Sequence, residues 1–136
     1  MYLAQAEGLI KKHEGLCLKP YQCPAGKWTI GYGRNLEDTG ITPAEADTLL
    51  KNDVQRCYRE CLTLLCWKKL NETRQAVLIN MCFNLGLARL KTFKKMLAAL
   101  EQGYFERAAY EMLNSKWAAQ VGYRAMELAE LMKKGA

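Results

Sequence analysis

Leu3, Ala6, Leu9, Ile10 and His13 recur at helical spacing from the start of the chain. The pattern predicts a short amphipathic helix that stops at Glu14-Gly15, where glycine suits a helix end. From Leu16 to Arg34 the period shortens. Apolar and polar residues alternate, Pro24-Ala25-Gly26 interrupts them, and Trp28-Thr29-Ile30-Gly31-Tyr32-Gly33 follows, which predicts a small antiparallel hairpin or three-stranded ribbon. Gly31 and Gly33 would allow sharp bending or close approach of the backbone. Thr42-Pro43-Ala44-Glu45 then combines three helix-start signals: a capping hydroxyl, proline at the first helical position, and a carboxylate placed to close a capping box. The helix it opens is expected to run through Leu49, Leu50, Val54 and Cys57 to about Leu65. Asn71 can cap a second apolar helix, Glu72 to Leu85, ended by Gly86. Ala76, Val77, Ile79, Asn80, Met81, Phe83 and Asn84 make that helix apolar around most of its circumference, the pattern of a central buried helix. Further helices are predicted near Phe93 to Gln102, Tyr104 to Ser115 and Tyr123 to Lys134, with Gly103, Gly122 and Gly135 between and after them. The whole reads as α+β and predominantly helical. It is expected to be a single domain over 1–136, with an antiparallel β lobe (about 15–40) joined by a long helix to a helical lobe (about 1–14 and 41–136) and a cleft between.

The 136 residues are enough for one domain with a real core, and half of them are apolar. No apolar run approaches a membrane span, and the start lacks the basic and apolar regions of a secretory signal. The expected location is therefore a cytoplasm, with no membrane anchor. The net charge of +6 favours anionic partners such as nucleic acid, anionic lipid or an acidic bacterial wall, or else simply a solvated surface. Lys68-Lys69, Lys94-Lys95 and Lys133-Lys134 are pairs rather than the longer runs of a nucleic-acid tail. Six cysteines, at 17, 23, 57, 61, 66 and 82, read as free thiols in a reducing compartment. Cys57, Cys61 and Cys66 lack C-x-x-C spacing and downstream histidines, which argues against zinc. The single histidine, His13, is expected on the surface and excludes multi-histidine metal sites.

One stretch offers chemistry. Glu14 ends the first helix, and Cys23 and Thr29 follow nine and fifteen residues later on the hairpin. The three side chains can point into one place. Cleaving a glycosidic bond needs a proton for the leaving oxygen and a second group that handles water or the sugar cation. Glu14 can donate that proton, more readily if partial burial raises its pKa. Cys23 can take a proton from water, best as thiolate, and Thr29 can hold a water through its hydroxyl. Each residue also has an ordinary structural role: a helix-end carboxylate, a small buried thiol, a good strand former. The residue types alone leave both readings open.

The Glu14, Cys23, Thr29 spacing with Trp28-Thr29-Ile30-Gly31-Tyr32-Gly33 resembles the phage-type lysozymes, the endolysins of T-even and lambdoid phages. Their motif is a Glu, eight residues, Asp or Cys, five residues, then Thr. The similarity continues through Thr42-Pro43-Ala44-Glu45-Ala46, Asn80-Met81-Cys82-Phe83-Asn84-Leu85-Gly86 and Ser115-Lys116-Trp117, and so covers nearly the whole chain. The resemblance implies a lysozyme-like fold and cleavage of the β-1,4 bond between N-acetylmuramic acid and N-acetylglucosamine, without metal or cofactor and with inversion. It implies Glu14 as general acid, Cys23 beside the attacking water and Thr29 placing that water. Tyr32, Asn84 and Arg124 fall at substrate-binding or supporting positions, with Arg124 at that of the arginine that pairs with the catalytic Glu. The implied partner is bacterial peptidoglycan, met by a monomer held in the host cytoplasm until a separate holin releases it, with no nucleic acid and no stable membrane insertion.

Three departures from the T-even pattern matter. Cys23 replaces an aspartate, so no carboxylate stands there to stabilise a sugar cation. The chain is shorter between Gly33 and Thr42, which predicts a reduced β lobe and a more open cleft. Arg34 stands in place of a histidine and is expected to pair with Asp53. A lytic transglycosylase, in which the sugar's own 6-hydroxyl replaces water, is the near alternative. A non-catalytic wall-binding protein on the same scaffold is the distant one, since fold does not guarantee chemistry. Membrane disruption fits poorly, because the terminal helix carries Glu127 and Glu130 among its lysines.

Overall fold

The computed structural model describes residues 2–136. The order of elements is α1 (Tyr2–Glu14), β1 (Cys17–Gln22), β2 (Trp28–Gly31), β3 (Arg34–Asn35), α2 (Pro43–Cys61), a 3-10 turn (Trp67–Lys69), α3 (Glu72–Leu85), α4 (Leu87–Leu90), α5 (Lys94–Gln102), α6 (Phe105–Leu113), α7 (Lys116–Val121) and α8 (Tyr123–Lys134). This is the α+β, mainly helical class read from the pattern. The chain divides into two compact units, 1–48 and 49–136. The unit that holds the sheet also holds α1, which the sequence pattern had grouped with the helical lobe.

In the first unit α1 has no buried residue. It closes on Gly15, whose N–H donates to Lys11 O at 3.0 Å and whose φ of +72° suits glycine. The sheet is antiparallel in the order β1-β2-β3. Tyr21 faces Thr29 and Gln22 faces Trp28, and the register shifts between Cys17 and Tyr21, the interval that contains Pro20 and its missing N–H. Between β1 and β2 the chain turns tightly: Cys23 N–H donates to Lys27 O (2.9 Å) and Gly26 N–H to Cys23 O (2.7 Å). At the start of α2 the capping box forms in both directions. Glu45 N–H donates to Thr42 Oγ1 (3.1 Å) and Thr42 N–H to Glu45 Oε1 (2.8 Å).

The second unit is built around α3, which buries Val77, Leu78, Met81 and Cys82. Leu90, Met96, Leu100, Met112, Ala125 and Met132 from the surrounding helices complete the core. Asn71 Oδ1 accepts from Arg74 N–H (3.0 Å) at the start of α3, and Gly86, at φ +83°, ends it. Helix α2 stops at Cys61, short of the expected Leu65. The Thr63 hydroxyl donates to Glu60 O (2.7 Å), and backbone bonds that span three residues rather than four, from Thr63 N–H to Glu60 O (3.2 Å) and Leu64 N–H to Cys61 O (3.0 Å), close the last turn. Two short helices, α4 and α7, were not expected. Ser115 caps α7 by accepting from Ala118 N–H (3.1 Å), so residues read as the end of one helix begin another. No described helix is long and apolar enough to cross a membrane.

Candidate active site

Glu14, Cys23 and Thr29 all lie in the first unit. Glu14 is the last residue of α1 and is exposed. Its carboxyl group rests against the backbone at Gly33, in the turn between β2 and β3. A Cβ at Gly33 would fall 2.8 Å from Glu14 Oε2, and the φ there is +80°. Both the close approach and the left-handed backbone require glycine.

Cys23 and Thr29 flank the β1–β2 turn. Thr29 is the one buried residue described in the first unit, 4% exposed, and its hydroxyl donates to Lys27 O at 2.9 Å. Cys23 is half-buried. Hydrogen bonds to its sulfur, first from the Lys27 backbone and then from the Ala25 backbone and the Thr29 hydroxyl, hold the thiol below its ordinary range against desolvation, which acts the other way. The Thr29 hydroxyl has one proton and can turn it to Lys27 O or to the sulfur. When it goes to Lys27, Oγ1 offers only lone pairs.

Tyr21 lies across the ladder from Thr29. Its phenol is shifted up, first by desolvation and then by the negative charges that Cys17, Glu14 and Cys23 can carry. It therefore senses both Glu14 and Cys23. The sequence pattern did not single out Tyr21, because its place depends on the hairpin register. Gly33 had a signal, a glycine two residues after Gly31, but not its partner Glu14.

Of the remaining predicted residues, Tyr32 is exposed in the β2–β3 turn with Lys11 Nζ 5.5 Å from the centre of its ring. Arg34 does not take Asp53. It forms a bidentate pair with Glu45, at 2.7 and 2.8 Å, and also donates to Gly40 O at 3.1 Å. Asp53 instead accepts from Arg56, one helical turn on, at 2.9 Å. The capping box explains the exchange: Thr42 fixes the Glu45 carboxylate where the planar guanidinium can meet both oxygens. In the second unit Asn84 Oδ1 accepts from Trp117 Nε1 (2.7 Å), and Arg124 donates to Asn80 Oδ1 from Nε (3.0 Å) and Nη2 (2.7 Å). The sequence places Asn80 in an apolar helix and in a stretch shared with the family, but does not mark it as the partner of Arg124.

A cavity of about 480 Å³ in the second unit lies between Phe93, Trp117 and the lysines 94, 95 and 116. Its single carboxylate, Glu111, is 3.5 Å from Arg107, and no thiol lines it. Glu14, Cys23 and Thr29 share the first unit, with Glu14 against Gly33 and the Thr29 hydroxyl beside the Cys23 sulfur.

Comparison with known proteins bears on the whole chain. It is 33% identical over 131 residues to an endolysin of Acyrthosiphon pisum secondary endosymbiont phage 1, covering 93% of this chain and 86% of that protein. It is 27% identical to probable T4-type lysozyme 1 of Dictyostelium discoideum, over 98% of this chain and 96% of that protein. A SAR-endolysin of Haemophilus phage HP1 is 30% identical over 92 residues, 65% of this chain and 50% of that protein. With the phage lysozyme family model matching residues 11–134, a span that takes in the acid, the thiol and the hydroxyl, the chain belongs to the phage lysozyme family.

Proposed function

We propose that this protein is a peptidoglycan hydrolase that cuts the β-1,4 bond between N-acetylmuramic acid and N-acetylglucosamine and so lyses a bacterial host. The observation that supports this most is local. The carboxyl of Glu14 sits against Gly33, while Cys23, held more acidic than a free thiol, shares the β1–β2 turn with the buried Thr29 hydroxyl. Glu14 gives its proton to the leaving glycosidic oxygen as the bond to the anomeric carbon breaks. A water attacks that carbon from the other face and loses a proton to the Cys23 sulfur, which takes it as thiolate. Thr29, with its own proton on Lys27 O, accepts a hydrogen bond from that water and fixes its direction. Water attack from the opposite face gives inversion. Tyr32 presents an exposed ring to the sugar. The reading treats residues 1–136 as one catalytic domain and peptidoglycan as its substrate.

The deciding experiment is mass spectrometry of fragments released from purified peptidoglycan by the wild type and by Glu14→Gln. Hydrated reducing-end muropeptides from the wild type, and none from the variant, are expected. Anhydro-muropeptides would replace this reading by a transglycosylase in which the sugar's 6-hydroxyl takes the place of water. No fragments from any wall type would leave a binding protein on a lysozyme scaffold.

A further inference from the structure

Three of the six cysteines meet in the second unit, at a place the lytic chemistry does not use. Cys57 and Cys61 stand one helical turn apart on α2, and Cys82 comes from the buried face of α3. All three are at most 1% exposed and carry free thiols. The sulfurs of Cys57 and Cys82 and a carboxylate oxygen of Glu60 lie within 4.8 Å of one another. Cys82 Sγ is 3.8 Å from Glu60 Oε1 and in side-chain contact with both Cys57 and Cys61. Cys61 Sγ donates to Leu78 O at 3.7 Å.

We propose that Cys57, Cys82 and Glu60 form a binding site for one thiophilic divalent cation of the zinc class, with Cys61 as the adjoining fourth donor. The spacing suits such an ion. Two sulfurs bound to a tetrahedral zinc at about 2.3 Å are roughly 3.8 Å apart, inside the spread found here. The donor chemistry narrows the choice: thiolates disfavour calcium and magnesium, while the carboxylate suits zinc better than copper(I). The charge also closes. Two thiolates and one carboxylate leave a single negative charge on a zinc(II) site whose fourth position holds a water, and two when Cys61 binds as thiolate; Arg56, with Nε 4.0 Å from Glu60 Oε1, stands beside it. Glu60, with 38% of its side chain exposed, gives the ion a way in from solvent.

Without a cation the three sulfurs are free thiols. On binding, each zinc–sulfur bond replaces an S–H bond and releases one proton to solvent. The fourth position is filled by Cys61, turning from Leu78 O, or by a water. The ion would clamp α2 to α3 and stabilise the unit by mass action. Spacing along the chain argued against zinc because it paired Cys57 and Cys61 with Cys66. The fold supplies Cys82 instead.

The test is titration of the full-length, reduced, metal-free protein with zinc chloride, followed by dialysis, elemental analysis and thermal melting. Cobalt(II) serves as a coloured stand-in whose thiolate charge-transfer band reports sulfur ligation. One zinc retained per chain, a raised Tm and the cobalt–thiolate band are expected. Cys82→Ala should lose all three, and Glu60→Gln, which leaves the core intact, should weaken zinc binding by roughly tenfold or more. Cys17→Ser, at an exposed thiol, should change nothing in these readouts. No retained zinc in the wild type overturns the proposal, as does binding lost in Cys17→Ser. Wild-type affinity in Glu60→Gln overturns it even if Cys82→Ala fails to fold. None of these readouts uses peptidoglycan, so they stand or fall apart from the lytic reading.

Discussion

The two units of this molecule are held together by different physics. Among the described residues the first unit buries Thr29 alone. It is fixed by backbone turns, a capping box, an arginine–carboxylate fork and glycines at positive φ. The second unit carries the apolar core, from Cys57 to Met132. The cysteines show the contrast in a single residue type. Cys23 sits among hydrogen-bond donors and is more acidic than a free thiol, whereas burial makes Cys61 and Cys82 less so. The lesson is a division of labour: substitutions in the first unit should change chemistry at little loss of stability, and substitutions in the second the reverse.

The sharpest way to break that division is a pair of substitutions. Glu14→Gln removes an exposed proton donor that supports no core. Lytic rate is expected to fall by about 10²–10⁴-fold, the usual contribution of a general acid, with an unchanged Tm. Leu78→Ala empties a fully buried position on α3. It should lose about 2–5 kcal/mol of stability, while specific activity of the folded fraction stays close to wild type. Calorimetry and turbidity loss on wall suspensions read both. A Glu14→Gln protein that melts much lower, or a Leu78→Ala protein that is stable but inactive, would defeat the comparison.

Gly33→Ala tests the boundary between the two kinds of effect. The added methyl would meet Glu14 Oε2 and sit on a left-handed backbone. The strain is roughly 1–2 kcal/mol, but the larger result should be a displaced acid and a severe loss of rate. Loss of stability without loss of rate would mean that the contact with Gly33 does not position Glu14.

How much of this was legible in the sequence follows the same line. Local signals were read well: Thr42 and Glu45 form the capping box that their spacing announces, Asn71 caps α3, and Gly86 ends it. Long-range partners were not. Arg34 was matched with Asp53 when Glu45, already pinned by Thr42, was the better-placed carboxylate. Cys82 was left out of the thiol cluster because sequence spacing cannot show which faces of α2 and α3 meet. The helices α4 and α7 are too short to establish a period, and the tighter turn at Thr63 that follows α2 leaves no mark in the apolar spacing. At the candidate site the residue types and their order were visible, but the hydrogen bonds that acidify Cys23 and the pairing of Tyr21 with Thr29 depend on the hairpin register.

The thiol contrast predicts an order of alkylation. Under native conditions at neutral pH, iodoacetamide should modify Cys23 well before Cys61 and Cys82, because only the thiolate reacts and, of these three, Cys23 alone is both accessible and acidified. Peptide mapping over time reads the order. If peptidoglycan hydrolysis uses the Cys23 thiolate, its rate should rise with pH through a value lower than that of an ordinary thiol, and Cys23→Ser should remove that rise. Equal labelling of Cys23 and Cys82 would mean that the core of the second unit opens readily, against the contrast drawn here.

The smallest effect concerns Arg34 and Glu45. The Arg34 guanidinium, helped by the Thr42 backbone, lowers the Glu45 carboxyl from its usual 4.5 to about 2. A group whose folded value is depressed adds stability above its unfolded value and loses it as pH falls through the folded one. The stabilisation is therefore full above about 4.5, shrinks below that and is lost as pH falls through about 2. Glu45→Gln isolates the charge, because glutamine can still close the capping box. The Tm difference between wild type and Glu45→Gln should be small and constant at neutral pH, and should narrow to nothing as pH falls over that window. Added salt should narrow it too, since both side chains are more than a third exposed. A difference that survives at low pH would place the role of Glu45 in its hydrogen bonds to Thr42 rather than in its charge, leaving the first unit held by caps and turns alone.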